Sequence, residues 1–437
     1  MSSVHDKSLF YTLLRSYSDS CFPLAYHKVE YAGLERIPTD GAVIFAPNHT
    51  NALMDALSVS KVSKPPIVYV ARADIFRKPL IAKFLNLLKI MPIVRIRDGV
   101  SNLKRNAEIM ECAVEALRAG LHFCIMAEGT QRAKHSLLPL VKGIFRIALQ
   151  ANEAIGNSKP VYIVPMGIEY GDYFRYRSTV LLNIGEPINV TEFVRIHADL
   201  EMPEQINQLR EKLTEAMRQQ ILYIPDNENY NAILELTYLL YKRQLQLVDN
   251  KAEGKLKARL SAAQQIVATC SQSKKNGVPI AEVLKLANEF FSERKRLEIS
   301  KEAIENYPFS KWSLFGKGVL LLVTLPYFLF SAVATLPVTA LYTYLCSVIN
   351  DREFNNSIRF GITALVMPLW WLVVVFLLAA FLPISWAVAV VVLMLPAHIF
   401  LHDYLRWWRV WISEIKLLKY KTLTDNRTVE PFIFFVK

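Results

Sequence analysis

Hydrophobic positions along the chain fall into two regimes. Residues 318–350 and residues 360–397 each run without a charged side chain. Both runs exceed the roughly 20 residues that an α-helix needs to cross a bilayer, so the C-terminal part reads as membrane-spanning. Pro383 divides the second run, which predicts two helices hinged there and about three spans in all. Pro326 and Pro337 interrupt the first run, and a kinked span and a re-entrant hairpin both remain open.

Upstream the pattern changes. Residues 42–46, 67–71, 123–126 and 161–166 are short β-rich runs, while residues 76–88, 103–118 and 141–154 carry apolar side chains at helical spacing. That alternation predicts an α/β sheet domain flanked by helices. Strand signals then fade, and amphipathic helical patterns at 206–222 and 281–291 predict a helical insert or lid. The charged run 251–259 reads as a solvated helix face. The expected organisation is an N-terminal membrane-associated helical segment (1–24), an α/β domain (25–195), a helical insert (196–316), a transmembrane region (317–402) and a basic aromatic interfacial tail (403–437). In that tail Arg406, Trp407, Trp408, Arg409 and Trp411 suit a headgroup boundary.

Composition sharpens this picture. The chain has 437 residues, 52% hydrophobic, with a formal charge of +12, which excludes an ordinary soluble protein and favours anionic partners such as lipid headgroups or phosphorylated metabolites. Five scattered cysteines (Cys21, Cys112, Cys124, Cys270, Cys346) show no CxxC pairing, so neither a zinc knuckle nor a disulfide framework is expected. The N-terminus reads without a secretory signal.

Two strand ends carry the candidate chemistry. The apolar run 42–46 stops at Pro47 and delivers His49 to a loop, where imidazole, which titrates near neutrality, can take a proton from a hydroxyl and return it. Asp55 can orient that ring. Six steps on one helix would set the two side chains about 240° apart, so pairing requires His49 to stand outside the helix that holds Asp55. The run 123–126 leads likewise to Glu128, Gly129 and Arg132. Around these lie basic stretches free of acids, with Arg95 and Arg97 at alternate positions and Arg132, Lys134, Lys142 and Arg146 further on. Arginine's planar fork matches phosphate oxygens. A solvated basic face near anionic lipid is the rival reading of each.

Together these segments resemble the glycerolipid acyltransferase superfamily, which includes glycerol-3-phosphate and lysophosphatidate acyltransferases; the resemblance covers about residues 25–190. His49 and Asp55 resemble its catalytic dyad, Arg95 its phosphate-contacting arginine, and Glu128 with Gly129 the core of its third motif, with Lys142 following. Val164 and Pro165 resemble the fourth motif. The dyad spacing is one residue longer than in most members, as in the branch that acylates glycerol 3-phosphate or dihydroxyacetone phosphate. Ala127 replaces the third motif's proline.

The resemblance implies that His49 deprotonates an acceptor hydroxyl which attacks an acyl thioester directly, with Arg95, Arg97 and Arg132 on the acceptor phosphate and Glu128 on its hydroxyls or on a basic partner. The thioester, acyl-CoA or acyl carrier protein, is a co-substrate, and no cofactor is implied. Glycerol 3-phosphate is the favoured acceptor; lysophosphatidate and dihydroxyacetone phosphate stay open. A lipase-type hydrolase lacks its Gly-x-Ser-x-Gly elbow, and no RNA-binding signature suggests nucleic acid. A non-catalytic lipid-binding membrane protein is the remaining rival. His398 and His402 stand four apart beside Asp403, but two ligands without a third make no metal site, and interfacial anchoring is expected. Lys311, Lys317 and the basic tail place both flanks of the membrane region, and the catalytic domain, on the cytoplasmic side, which three full crossings would contradict.

Overall fold

The computed structural model describes residues 9–93, 103–247, 255–275 and 280–419. It divides into two compact units, the first formed by residues 1–221 with Glu353–Ser357 and the second by Leu222–Arg352 with Ile358–Lys437.

In the first unit, helix α1 (Leu9–Ala25) leads into β1 (Tyr26–Ala32), followed by β2 (Ala42–Pro47), α2 (Leu53–Val62), β3 (Ile67–Arg72), α3 (Pro79–Leu87) and β4 (Ile90–Ile93). Next come α4 (Leu103–Arg118), β5 (His122–Cys124), α5 (Lys142–Ile155), β6 (Val161–Tyr170), β7 (Ser178–Ile184), β8 (Ile188–Asn189), α6 (Val190–Ile196) and α7 (Met202–Gln220). The strands form one sheet in the order β1-β7-β6-β2-β5-β3-β4, with β8 paired to β6. β6, β2, β5, β3 and β4 run parallel, whereas β7 and β8 lie antiparallel to β6.

The expected α/β sheet flanked by helices is therefore present, and its four expected strands correspond to β2, β3, β5 and β6. β2 is buried along its whole length, Ala42 through Pro47, as a central strand covered on both faces must be. The helix expected over 76–88 starts later, because Pro79 occupies its first turn, where a missing N–H costs nothing. Helix α7 belongs with this unit, not with a separate helical insert: Leu209, Leu213 and Met217 on its apolar face join Ile144, Phe145 and Ala148 of α5 in the core. Its end also explains one glycine. A Cβ on Gly167 of β6 would sit 2.1 Å from the Gln220 carbonyl oxygen, so only glycine lets α7 close on the sheet.

One buried histidine makes this core acid-sensitive. His122 on β5 shares a 2.8 Å hydrogen bond between its Nδ1 and the Ser63 hydroxyl. Burial, reinforced by the positive charges of Arg15 and Lys159, lowers its pKa from 6.5 to about 4. Because the folded value is depressed, the unfolded chain binds the proton first. Stability is then fully present above pH 6.5 and declines by about 3 kcal/mol as pH falls through 4. Denaturant midpoints measured across that window should slope downward toward acid, and the slope should flatten in His122→Asn; an unchanged slope would exclude this histidine as the source.

The second unit is helical among its described residues: α8 (Tyr230–Leu247), α9 (Lys255–Lys275), α10 (Ile280–Arg296), α11 (Lys301–Asn306), α12 (Lys311–Val348), α13 (Asn355–Phe381), α14 (Ile384–Met394) and α15 (Ala397–Lys419); the first residues of α13 pack with the first unit. Glu235, fully buried, accepts both prongs of Arg294 at 2.6 and 2.9 Å, so burial of the carboxylate is compensated in place. The charged run at 251–259 departs from the solvated face expected of it. Of its described part, Arg259 pairs with Glu305 and Ala258 is buried, because α9 turns that side toward its neighbours.

Two helices here are long and apolar enough to cross a membrane, and a third crossing requires α14 and α15, bent by 42°, to act as one span. α12 continues through both Pro326 and Pro337 without a break, which removes the hairpin alternative for that run. A break at Leu382 and Pro383 does separate α13 from α14, as the sequence indicates. α14 alone has 11 residues, about 16 Å of helix, too short to cross by itself. Leu322, Val333, Leu369, Phe376 and Trp386 are exposed along these helices, as lipid-facing side chains are. The boundary read at 402/403 falls inside α15, while residues 420–437 lie outside the described residues. His398 and His402 each meet a hydroxyl, of Thr363 at 3.3 Å and of Tyr342 at 3.1 Å.

Candidate active site

The carboxyl ends of β6, β2 and β5 lie side by side, and in parallel sheets that edge is where loops collect functional groups. β2 leaves the sheet at Pro47. The next residue, Asn48, keeps the ladder going with its side chain, its Oδ1 accepting from the Ile168 N–H at 2.7 Å and its Nδ2 donating to the Ile168 carbonyl at 3.2 Å. That pair of bonds fixes where the chain turns, and so where His49 begins.

His49 stands outside α2 and Asp55 in its first turn, the separation their spacing demands. His49 Nδ1 lies 2.8 Å from Asp55 Oδ2. A carboxylate only accepts, so Nδ1 carries the proton and Nε2 is left as a base. Nε2 has no hydrogen-bond partner among the described residues, and the side chain retains 18% exposure while Asp55 has none. The buried carboxylate is saturated by the loop that surrounds it. Thr50 and Asn51 each donate a backbone N–H to Oδ2 at 2.8 Å, and the Tyr170 hydroxyl donates to Oδ1 at 2.7 Å. Burial, with the Asp55 charge adding to it, holds the Tyr170 hydroxyl well above its ordinary pKa, so it stays a donor.

The extra residue of this spacing is absorbed at Ala52, which adopts φ 45° and ψ −121°, a region that suits glycine. Buried and strained, Ala52 should respond in opposite directions to two substitutions. Ala52→Gly should raise stability by about 1 kcal/mol, whereas Ala52→Val, β-branched at positive φ, should lower it. Thermal unfolding of the two variants checks this, and a loss of stability in Ala52→Gly would show the conformation to be relaxed.

Glu128 has a structural place in the site. Its Oε1 accepts the His49 N–H at 2.9 Å and its Oε2 the Leu138 N–H at 2.8 Å. Burial raises its pKa, and those two N–H bonds oppose the rise. Gly129 turns the chain beside it at φ +65°, with Val141 so close that a Cβ would lie 2.5 Å from its Cγ1. Arg132 closes the loop through its backbone, its N–H donating to the His49 carbonyl at 2.9 Å, and its guanidinium reaches Ser136 Oγ at 2.5 Å. Lys142 is exposed at the start of α5, while Val164 and Pro165 are buried in β6, paired in register with Phe45 and Ala46 of β2. Arg95 and Arg97 lie outside the described residues.

Sequence reasoning had not singled out Tyr170, Asn48's ladder bonds, or the short segment Glu353–Ser357, which packs into this unit. Ser357 Oγ accepts the Leu53 N–H at 3.1 Å, Asn356 donates to the Tyr173 carbonyl at 2.8 Å, and Glu353 accepts the Ala133 N–H at 2.9 Å.

Residues 28–169, which hold this histidine, aspartate and sheet edge, match the model of the Acyltransferase family. The resemblance to glycerolipid acyltransferases is borne out over that region. Among curated relatives, glycerol-3-phosphate O-acyltransferase 2 of Saccharomyces cerevisiae is 22% identical over 301 residues, covering 67% of this chain and 39% of its own length. An uncharacterized acyltransferase of Schizosaccharomyces pombe is 26% identical over 190 residues, covering 42% of this chain and 62% of its own. The chain thus spans less than two thirds of either relative. The crystal structure of the 1-acyl-sn-glycerophosphate acyltransferase PlsC from Thermotoga maritima aligns at 20% identity and a TM-score of 0.35, covering 48% of this chain and 78% of that one.

Proposed function

We propose that the protein transfers a fatty acyl group from an acyl thioester, acyl-CoA or acyl carrier protein, to a hydroxyl of glycerol 3-phosphate at a membrane, the first acylation toward phosphatidic acid. One observation carries the reading: His49 is held by the buried Asp55 with Nε2 left open at the sheet edge. Nε2 takes the hydroxyl proton as the alkoxide oxygen attacks the thioester carbonyl. The tetrahedral intermediate collapses, the C–S bond breaks, and the imidazolium returns the proton to the departing thiolate. No acyl-enzyme is required.

For the acceptor phosphate, Arg95, Arg97, Arg132 and Lys142 are the proposed ligands. Support comes from β4, whose carboxyl end at Ile93 shares the sheet edge with β2 and stands shortly before Arg95 in the chain. The long dyad spacing favours glycerol 3-phosphate or dihydroxyacetone phosphate over lysophosphatidate, and the name of the yeast relative favours glycerol 3-phosphate of those two. The apolar helices support an integral membrane protein in contact with anionic headgroups, and the basic flanks favour a cytoplasmic catalytic domain.

The test is purified full-length protein in detergent with labelled acyl-CoA and each of the three acceptors in turn. Monoacylglycerol phosphate formed from glycerol 3-phosphate is expected, and His49→Ala should lower the rate by at least about a thousandfold. Acceptor-independent release of fatty acid, or full turnover by His49→Ala, would overturn the reading.

A further inference from the structure

We propose that the segment Glu353–Ser357, far from the catalytic domain in sequence, is a positioning element of the acyl-transfer site. The proposal rests on the function given above for that site.

Helix α2 carries Asp55 in its first turn, and its own N-cap residue, Ala52, supplies no side-chain acceptor. First-turn N–H groups of a helix need a partner from outside it. Asn51 and Ala52 carbonyls serve Met54 and Asp55. Leu53 is served by Ser357 Oγ, a residue 304 positions away in sequence. Ser357 therefore caps the aspartate's helix in trans.

The two other contacts reach the remaining loops of the site. Asn356 donates to the Tyr173 carbonyl, and Asn51, next to the histidine's turn, donates to that same oxygen at 3.2 Å. Glu353 accepts the N–H of Ala133, which follows Arg132, whose own N–H holds the His49 carbonyl. Three residues of one five-residue segment thus touch the start of α2, the turn after β6 and the loop after Glu128. The contacts fall two residues before Asp55, three residues after Tyr170 and one residue after Arg132. Asn356 and Ser357 are buried, as a packed element requires. In the chain the segment stands between the end of α12 and the first residues of α13, and it belongs to the same compact unit as the sheet.

None of the three touches the proposed reacting atoms, so they act through the geometry of His49 and Asp55. That predicts a loss in kcat with little change in KM. The experiment uses the full chain in detergent with Ser357→Ala, the triple variant Glu353→Ala, Asn356→Ala, Ser357→Ala, and the conservative pair Ser357→Thr, Glu353→Gln. Ser357→Ala should lower kcat about fivefold, the scale of a lost helix cap, and the triple variant about a hundredfold, with KM for both substrates within twofold of the parent. The conservative pair, which keeps both acceptor oxygens, should restore kcat to within twofold. Amide hydrogen exchange over residues 49–56 supplies a readout independent of substrate and should accelerate in both alanine variants.

Unchanged exchange in the triple variant would overturn the proposal. So would a rise in KM at constant kcat, or equal loss in the alanine and conservative variants. If the parent acylated none of the acceptors while exchange still accelerated, the positioning contact would stand and the acyl-transfer reading would fail.

Discussion

Asparagine in place of Asp55 should leave the protein folded and lower acyl transfer by about ten-thousandfold. The carboxamide can keep its oxygen where Oδ2 now accepts from His49 Nδ1, Thr50 and Asn51, and turn its nitrogen toward Tyr170, whose hydroxyl can rotate to accept. Loop geometry is thereby retained. In the proposed mechanism, what disappears is the negative charge that would stabilise the imidazolium formed when His49 takes the proton, together with the fixed tautomer; in serine hydrolase triads that loss is about 10⁴-fold. Asp55→Ala would instead strand three buried donors, at about 1–3 kcal/mol each, and is expected to unfold the loop. Single-turnover transfer and thermal unfolding measured side by side separate the two variants. If Asp55→Asn transferred within tenfold of the parent, the aspartate would be a scaffold for the loop and nothing more.

The separation between His49 and Asp55 was legible because it needs only helix geometry: six steps on one helix would part them, so the chain must turn between them. The strand before the turn was equally plain, as six consecutive buried positions leave an apolar run that no exposed element carries. Tyr170 was missed for a local reason. The β-rich run marks this strand only to Met166, although Ile168 and Tyr170 continue a buried alternation past the half-buried Glu169. Extending the strand by that alternation places an aromatic hydroxyl at the same sheet edge as His49. β1 and β7 went unread because both lie on the side of the sheet beyond the antiparallel switch at β6, and Tyr26–Ala32 mixes charged with apolar residues and so lacks a strand's clean signal.

Other parts of the site were not legible at all, because they depend on distance in space between residues far apart in sequence. Ser357 carries no local mark of being a helix cap, since the helix that it caps begins 304 positions earlier. Charge patterning also had a limit. The charged run at 251–259 looks solvated until Glu305, from another helix, is placed against Arg259. Periodicity finds the faces of helices, but which face meets a partner is decided by packing.

The third motif shows the same division, and it yields the second large effect. Position and residue type identified Glu128 as belonging to the site, but its chemistry came from partners that only the fold supplies. Both of its oxygens are engaged by backbone N–H groups, one of them from His49. Glu128→Gln changes one oxygen to a nitrogen that cannot accept, so either His49 or Leu138 must face a donor in a buried site. Such a mismatch costs about 2–3 kcal/mol. If the His49 turn bears it, the imidazole shifts relative to Asp55, and because 1.4 kcal/mol corresponds to tenfold, transfer should drop by roughly thirty- to a hundredfold. If Leu138 bears it, stability falls by the same amount while activity persists. A role on substrate hydroxyls makes a different demand, since a glutamine can still bond a hydroxyl and the loss would appear in acceptor KM with exchange over residues 49–56 unchanged. Loss of kcat with faster exchange in that segment, at near-constant acceptor KM, is the expected result, and the reverse pattern would return Glu128 to substrate binding.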